Sequence, residues 1–220
     1  MLNILFPRVC RGCGKKLYFN EELICASCRH NLPLACFHRS GNPMMKNLFY
    51  GRIPLEQATA LLQFQKKGLT QKLLHELKYR GSESIGQLFG KWLGAELTQQ
   101  PEYSSIKLVI PVPLDRKKRK KRGYNQVSAF GNALANTLKV PFREDILIKK
   151  ASVGSQVFKK RWGRFENEGK FLIQNFTPIK HKHVLLVDDI VTTGATMEKC
   201  AQELLKGEGV QLSIASIAIA

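Results

Sequence analysis

The stretch "VLLVDDIVTTGAT", residues 184–196, decides the fold class of this chain. Its four consecutive aliphatic residues, 184–187, are typical of a strand that is buried on both faces, as strands of parallel sheets are. Asp188 and Asp189 therefore fall at the carboxyl end of the strand, where open α/β sheets bind ligands. The "TTGAT" that follows predicts the beginning of a helix straight after the strand.

This strand-to-helix junction predicts a phosphate-binding loop. The first backbone N–H groups of the helix and the Thr hydroxyls of residues 192–196 converge on one point, with the helix dipole behind them. Gly194 allows the backbone to approach a ligand without a side chain in the way. Asp188 and Asp189 would repel a phosphate, so we expect them to accept hydrogen bonds from sugar hydroxyls or to hold Mg²⁺. Phosphate, vicinal diol and magnesium together describe a phosphorylated ribose.

Two other interpretations of "LVDD" explain less of the stretch. Receiver domains also end a strand in paired acids, but they need further Asp and Lys residues on strands far downstream, and only 31 residues follow Asp189. Acids that merely cap a helix, with Thr and Gly forming a turn, account for one acid and one Thr but not for the whole run.

Composition indicates a globular protein with a polyanionic ligand. The chain has 220 residues, of which 44% are hydrophobic, enough for one medium domain and a small satellite. Its 35 Lys and Arg against 17 Asp and Glu give a net charge of +18, which favours a polyanionic partner or a phosphate-rich substrate over a merely soluble basic protein. No apolar run approaches the roughly 20 residues of a membrane span, and the first residues are too few for a signal peptide. We therefore expect a cytoplasmic protein.

Four of the six cysteines form two C-x-x-C pairs, "CRGC" and "CASC". Each pair turns two thiolates to the same side, and two such pairs about a dozen residues apart complete a tetrahedron around zinc. Disulfides or reduced structural cysteines are the alternative, but nothing in the chain indicates export to an oxidising compartment. With sulfur in all four positions the zinc would be structural. The predicted ligands are Cys10, Cys13, Cys25 and Cys28, and Cys36 and His38 lie close enough in sequence to replace one of them.

Periodicity divides the chain at about residue 50. Residues 1–50 are punctuated by Cys, Gly and Pro without a sustained period, as expected of a small domain in which a metal replaces a core. In residues 51–220, strand-like runs such as 58–64, 107–114, "FLIQNF" and the terminal "LSIASIAIA" alternate with helical ones. This alternation predicts a parallel α/β sheet. Cys200 falls on an apparent helix among apolar residues, which favours a place in the core.

The basic run "RKKRKKRGYNQ", residues 116–126, has three interpretations. As a loop that closes over the site, with Gly123 as hinge, its cations would neutralise pyrophosphate as a bond to it breaks. As a nucleic-acid element it would hold backbone phosphates, with Tyr124 available to stack on a base. A solvated charged loop is the third.

Five blocks of this sequence resemble the competence-protein ComF family. The 184–196 stretch is similar to the phosphoribosyl pyrophosphate (PRPP) signature of type I phosphoribosyltransferases. The family's other blocks follow in "HELKYRG" at 75–81, "PVPLDRKKRKKRGYNQ" at 111–126, Gln156 ahead of "RFEN", and the amino-terminal "CRGC…CASC". The resemblance implies an α/β fold: a type I phosphoribosyltransferase-like parallel sheet flanked by helices, preceded by a small zinc-ribbon-like domain. The domains would be residues 1–50 and 51–220.

The resemblance also implies a site and partners. Asp188 and Asp189 would meet the ribose hydroxyls, with magnesium bound alongside PRPP, and Arg122 would act on the departing pyrophosphate. Val112 would begin the loop that faces pyrophosphate, and the 5′-phosphate would be held by Thr192, Thr193, Gly194, Ala195 and Thr196. The family is often described as predicted amidophosphoribosyltransferases and is linked to uptake of transforming DNA alongside other competence proteins such as a helicase. It usually shows a further C-x-x-C where this chain has residues 36–39, and an Arg and a Thr are commonly found before Gln156 where this chain has "KKASVGSQ".

Two classes of function remain open on the sequence. One is a PRPP-dependent transferase in which a nucleophile attacks C1 of the ribose and pyrophosphate leaves. The other is a non-catalytic protein that handles single-stranded DNA and uses PRPP or a related sugar phosphate as a regulatory ligand only. The intact signature favours PRPP binding, but no residue identifies an acceptor.

Overall fold

The computed structural model describes residues 7–79, 83–115, 120, 123–150 and 170–220. Its strands are β1 (Ala58–Gln63), β2 (Ile106–Pro111), β3 (Leu147–Lys149), β4 (Phe171–Ile173), β5 (His183–Val191) and β6 (Gln211–Ile219). Its helices are α1 (Ala26–His30), α2 (Phe37–Ser40), α3 (Met44–Asn47), α4 (Leu69–Tyr79), α5 (Glu83–Leu97), α6 (Gln126–Leu138) and α7 (Ala195–Leu204), with 3₁₀ turns at Pro101–Tyr103 and Thr177–Ile179.

Four of these strands form a parallel sheet in the order β1-β6-β5-β2. Residues 184–187 of β5 are completely buried, because helices cover both faces of the sheet. One face packs against α4, α5 and α6 through residues such as Leu77, Phe89 and Phe130. The other packs against α7 and the short α2 and α3, and Cys200 lies in this core as predicted. The predicted α/β class, a parallel sheet flanked by helices, is confirmed.

Two strand assignments need correction. The predicted strand at "FLIQNF" is the short β4, which pairs antiparallel with β3 in a separate two-stranded hairpin instead of joining the parallel sheet. Strand β5 also continues past Val187 through both acids to Val191, because β6 pairs with it along this length, Asp188 opposite Ser216 and Ile190 opposite Ala218. The aliphatic run marked only the first part of the strand.

Helices α5 and α6 pack closely because α5 carries glycine at every fourth position, Gly86, Gly90 and Gly94. These glycines form a stripe on the helix face that meets α6. A Cβ on Gly90 would contact the carbonyl oxygen of Phe130 and lie 2.8 Å from the Cβ of Ala133. The backbones of the two helices therefore approach to a distance that no larger residue permits.

Substitution Gly90→Ala is expected to destabilise the fold. Alanine favours a helix by about 1 kcal/mol over glycine, but forcing a methyl group against the α6 backbone costs about 1–3 kcal/mol or more. We expect a net decrease in the free energy of unfolding, measured by urea denaturation. Gln87→Ala, on the exposed side of α5, is the matched control and should stay within about 0.5 kcal/mol of the parent. A Gly90→Ala protein as stable as the Gln87→Ala protein would contradict this packing.

The amino-terminal residues cross the edge of the sheet at β1. The backbone N–H of Ala35 donates to the Leu61 carbonyl at 2.9 Å, and that of Gln63 donates to the Pro33 carbonyl at 2.7 Å. Residues before this crossing, among them Leu17 and Leu32, pack on the α4 face, whereas those after it, such as Phe49, pack on the α7 face. The domain boundary at residue 50 stays a prediction.

Candidate functional site

The two adjacent acids lie on opposite faces of β5, since side chains alternate along a strand. Asp189 points toward α4 and α6, where its Oδ2 lies 2.9 Å from Lys78 Nζ and accepts a hydrogen bond from Gln126 Nε2 at 3.2 Å. Asp188 points to the α7 face and lines a small cavity beside the loop that follows the strand. The structure therefore gives the two carboxylates different surroundings.

The carboxyl group of Asp188 has a pKa well above its ordinary value. Burial is the main cause, and the negative charge of Asp189 adds to it. The backbone N–H of Asp189 donates to Asp188 Oδ1 at 2.8 Å, which partly offsets this rise by stabilising the charged form. Hydroxyl donors or a cation bound at Asp188 would stabilise its carboxylate form and so lower this raised pKa. Asp188 is therefore suited to bind a ligand of that kind.

The loop between β5 and α7 lines a small cavity, and its role as a phosphate cradle stays a prediction. Thr192, Thr193, Ala195 and Thr196 are exposed around a cavity of about 60 Å³ that Asp188 also lines. Gly194 is buried and has φ 77°, in the left-handed region that favours glycine. The Thr193 hydroxyl oxygen accepts the Ala195 N–H at 3.4 Å, and residues 195–197, at the positive end of the α7 dipole, also line the cavity.

Val112 follows β2 at the same edge of the sheet. Its N–H donates to the Val187 carbonyl at 2.9 Å, and its carbonyl accepts from Asn125 Nδ2 at 3.2 Å. The side chain is buried. The backbone groups of Val112 are thus used within the protein, and a ligand at this loop would be met by the residues that follow. A pyrophosphate role for the loop stays a prediction.

Arg122 and Gln156 lie outside the described residues. Of the basic run 116–126, the structure describes only residue 120 and residues 123–126. The interpretations of that run, including its closure over the site, stay predictions.

Lys78 and Gln126 lie within two of the family blocks, but the sequence alone predicted no role for either residue. Lys78 is the fourth residue of "HELKYRG" and lies on the last turn of α4, and Gln126 begins α6. Both bind Asp189, which places an ammonium group and an amide at the edge of the site. The signal available in the sequence was their position within the family blocks at 75–81 and 111–126.

The four cysteines of the two C-x-x-C pairs come together as predicted. Their Sγ atoms all lie within 4.8 Å of one another, and Cys13 Sγ is 3.7 Å from Cys25 Sγ. Zinc–sulfur bonds of about 2.3 Å in a tetrahedron require a sulfur–sulfur separation of about 3.8 Å. The Cys10 Sγ also accepts the N–H of Cys25 at 3.2 Å. The donor set therefore fits a zinc ion.

The Cys10 thiol of this cluster ionises more readily than an ordinary cysteine thiol. Burial opposes ionisation of Cys10, but hydrogen bonds from the backbone N–H groups of Cys13, Cys25 and Gly12 outweigh it and lower the pKa of the thiol to about 6. Thiolate is the form that binds metal.

Neither Cys36 nor His38 belongs to this cluster. The His38 ring is buried, with Nε2 2.6 Å from Glu96 Oε2 and Nδ1 2.9 Å from Thr59 Oγ1. Burial lowers the pKa of His38, and the Glu96 carboxylate opposes that effect. Both ring nitrogens therefore serve to fasten α2 to α5 and β1.

The candidate site is assigned by its chemistry and not by cavity size. A hollow of about 750 Å³ lies over α5 and α6 and includes neither acid and no part of the 192–196 loop. None of the helices that the structure describes is both long and apolar enough to cross a membrane.

Comparison with known proteins assigns a class to this fold and site. Residues 127–220, which contain α6 except for its first residue, both acids and the loop, match the family described as "Phosphoribosyl transferase domain". This part of the chain is thus similar to a phosphoribosyltransferase domain, and the parallel sheet flanked by helices agrees with that class.

The chain is also similar to curated proteins linked by name to competence and DNA utilization. The chain is 25% identical to competence protein ComFC of Bacillus subtilis over 207 residues, 88% of this chain and 82% of the relative. It is 32% identical to ComFC of Streptococcus pneumoniae over 134 residues, 61% of this chain and 56% of the relative. It is 25% identical to DNA utilization protein YhgH of Escherichia coli O157:H7 over 146 residues, 64% of this chain and 63% of the relative.

These relatives confirm the resemblance to the ComF family. The chain is a homologue of ComFC and YhgH with a phosphoribosyltransferase-like domain, and its four-cysteine cluster fits the small zinc module expected ahead of that domain. The matched region spans 63% of the length of the YhgH relative.

Proposed function

We propose that this chain is a PRPP-binding, phosphoribosyltransferase-like protein of the ComF type that acts in the uptake or use of DNA. The observation that carries the proposal is the shared cavity of Asp188 and residues 192–196 at the carboxyl end of β5. A carboxylate beside a phosphate cradle is suited to a ligand that has a phosphate and hydroxyl groups a few bonds apart, as a phosphorylated ribose has. We place the protein in the cytoplasm on the same proposal, where PRPP and reduced cysteines both occur.

Different residues of the described site would contact different parts of the ligand. The loop of residues 192–196 would receive the 5′-phosphate through backbone N–H groups and Thr hydroxyls. Asp188, which lines the cavity, would accept hydrogen bonds from the ribose hydroxyls or hold Mg²⁺ when the ion binds with PRPP. Such an ion would supply positive charge to the pyrophosphate oxygens. Lys78 Nζ lies 2.9 Å from Asp189 Oδ2 and balances the charge of that acid.

If the protein catalyses transfer, a nucleophile forms a bond to C1 of the ribose while the bond from C1 to the pyrophosphate oxygen breaks. The bonding electrons leave with pyrophosphate, and Arg122 would stabilise that charge. No covalent intermediate with a protein side chain is needed. The acceptor is the nucleophile, and its identity is not fixed by any residue of the site.

A second candidate is a binding protein for single-stranded DNA in which PRPP acts only as a regulatory ligand. The charge of +18 and the names of the curated relatives, a competence protein and a DNA utilization protein, favour it. On this candidate the other competence proteins, such as a helicase, would be its partners.

Isothermal titration with PRPP in the presence of Mg²⁺ tests the proposal. We expect one site per chain with a dissociation constant between about 1 μM and 1 mM, the usual range for enzyme substrates, and weaker binding when Mg²⁺ is omitted. Ribose without phosphate is the control and should not bind. A chain that binds a single-stranded oligonucleotide but shows no heat with PRPP would contradict the proposal and leave DNA binding alone.

A further inference from the structure

A segment ahead of β1 holds the outer side of the phosphate-loop candidate, residues 192–196. Arg52, which follows α3 in this segment, donates from Nη1 to Glu198 Oε2 at 2.7 Å and from Nη2 to the Thr193 carbonyl at 3.3 Å. Its Nη2 also donates to the Leu48 carbonyl. One guanidinium group thus joins its own segment, the loop and the first turn of α7.

The same segment fixes the glycine of the loop. The Phe49 ring is fully buried and lies against Gly194, where a Cβ would come within 2.7 Å of Phe49 Cε1. The Arg52 guanidinium in turn lies 5.4 Å from the centre of the Phe49 ring. Gly194 adopts a left-handed conformation at φ 77°, which glycine reaches without steric cost, and packing against Phe49 leaves no room for a side chain there.

We propose that Arg52 is a positioning residue for the phosphate loop and makes 5′-phosphate binding depend on the amino-terminal segment. The inference rests on the proposed function of the loop as a phosphate cradle. A cradle built from backbone N–H groups works only when those groups point at one place, and the Thr193 carbonyl that Arg52 holds belongs to the peptide unit whose N–H is that of Gly194.

Arg52 has a second effect through charge. Glu198 lies in the first turn of α7, the end of the helix that would face a phosphate. An uncompensated carboxylate there would repel the ligand, and the contact with Arg52 neutralises it. The side chain of Arg52 is about one third exposed and its hydrogen bonds are already directed to Glu198, Thr193 and Leu48, so we assign it to positioning and not to direct contact with phosphate.

Titration of two ligands into Arg52→Ala tests this role. Ribose 5-phosphate reports on the phosphate loop, whereas inorganic pyrophosphate with Mg²⁺ reports on the other end of the site. We expect Arg52→Ala to weaken ribose 5-phosphate binding about tenfold, the loss typical of hydrogen bonds to charged groups, and to leave pyrophosphate binding within about twofold. Arg52→Lys should recover only part of the loss, because one ammonium group cannot hold three acceptors in the same geometry. A general defect in folding would instead weaken the binding of both ligands.

Two further variants complete the test. The double variant Arg52→Ala with Glu198→Gln separates positioning from charge, because it also removes the carboxylate that would repel phosphate. Positioning predicts that ribose 5-phosphate binding stays about tenfold weaker than in the parent, whereas recovery of the parent affinity would show that Arg52 acts through charge alone and would overturn the positioning role. Lys180→Ala removes one cation and its 2.7 Å ion pair with Glu208 at the opposite end of β5, and should bind like the parent. If the parent protein binds PRPP and Arg52→Ala binds ribose 5-phosphate as tightly as the parent does, this inference is overturned and the proposed function is not. Parent protein that binds neither PRPP nor ribose 5-phosphate would overturn the proposed function and this inference with it.

Discussion

Replacing Asp188 and Asp189 together with Asn is expected to abolish measurable PRPP binding while the fold is retained. An amide keeps the shape of the side chain but loses one acceptor oxygen and all of the charge. Each hydrogen bond to a charged group contributes about 1.5–3 kcal/mol, so two lost acids correspond to a decrease in affinity of roughly 10²- to 10⁴-fold. Titration calorimetry with PRPP and Mg²⁺ measures the effect, and circular dichroism checks the fold.

The single variants should differ because the surroundings of the acids differ. Asp188 lines the cavity, and its raised pKa means that Asn there removes little charge stabilisation from the fold. Asp189→Asn leaves Lys78 without its anionic partner and is expected to lower stability as well as affinity. Glu208→Gln, an exposed acid paired with Lys180, is the control and should bind PRPP normally. A double Asn variant that binds as tightly as the parent would show that the acids do not contact the ligand.

Removal of one zinc ligand is the other large effect. We expect protein purified without added metal to contain about one zinc per chain, and Cys28→Ser to contain almost none. Structural zinc contributes about 10–16 kcal/mol of apparent binding energy in small zinc modules. Cys10 and Cys28 are buried beside Leu17, Ile24 and Leu32 in the layer that reaches α4, so residues 7–32 should become sensitive to protease when the metal is lost. Elemental analysis and limited proteolysis make the two measurements.

Cys36→Ser is the matched control for this experiment. Cys36 is half-buried and lies outside the four-cysteine cluster, so the variant should retain zinc and protease resistance. A parent protein that is free of metal and still resists proteolysis over residues 7–32 would contradict the zinc assignment.

The sequence alone determined those features that depend on local pattern. Four consecutive aliphatic residues require burial on both faces, and so they predicted β5 and the parallel sheet around it. The spacing of Cys10, Cys13, Cys25 and Cys28 predicted their meeting, because each C-x-x-C turn is a local structure that needs only its partner turn. The loop after β5 was predicted in the same way, since "TTGAT" joins a buried strand to a helix and places glycine at the turn.

Only the tertiary structure decided how the acids and the loop are held. The length of β5, and with it the direction of each acid, depends on pairing with β6, whose residues lie 28 positions further along the chain, as in the pair of Asp188 and Ser216. Lys78 and Gln126 meet Asp189 because α4 and α6 pack on the same face of the sheet. Arg52 reaches Thr193 across 141 residues of sequence. Such contacts follow from the packing of whole elements and not from the local preference of any residue, and this is why the sequence located the site but not the side chains that fasten it.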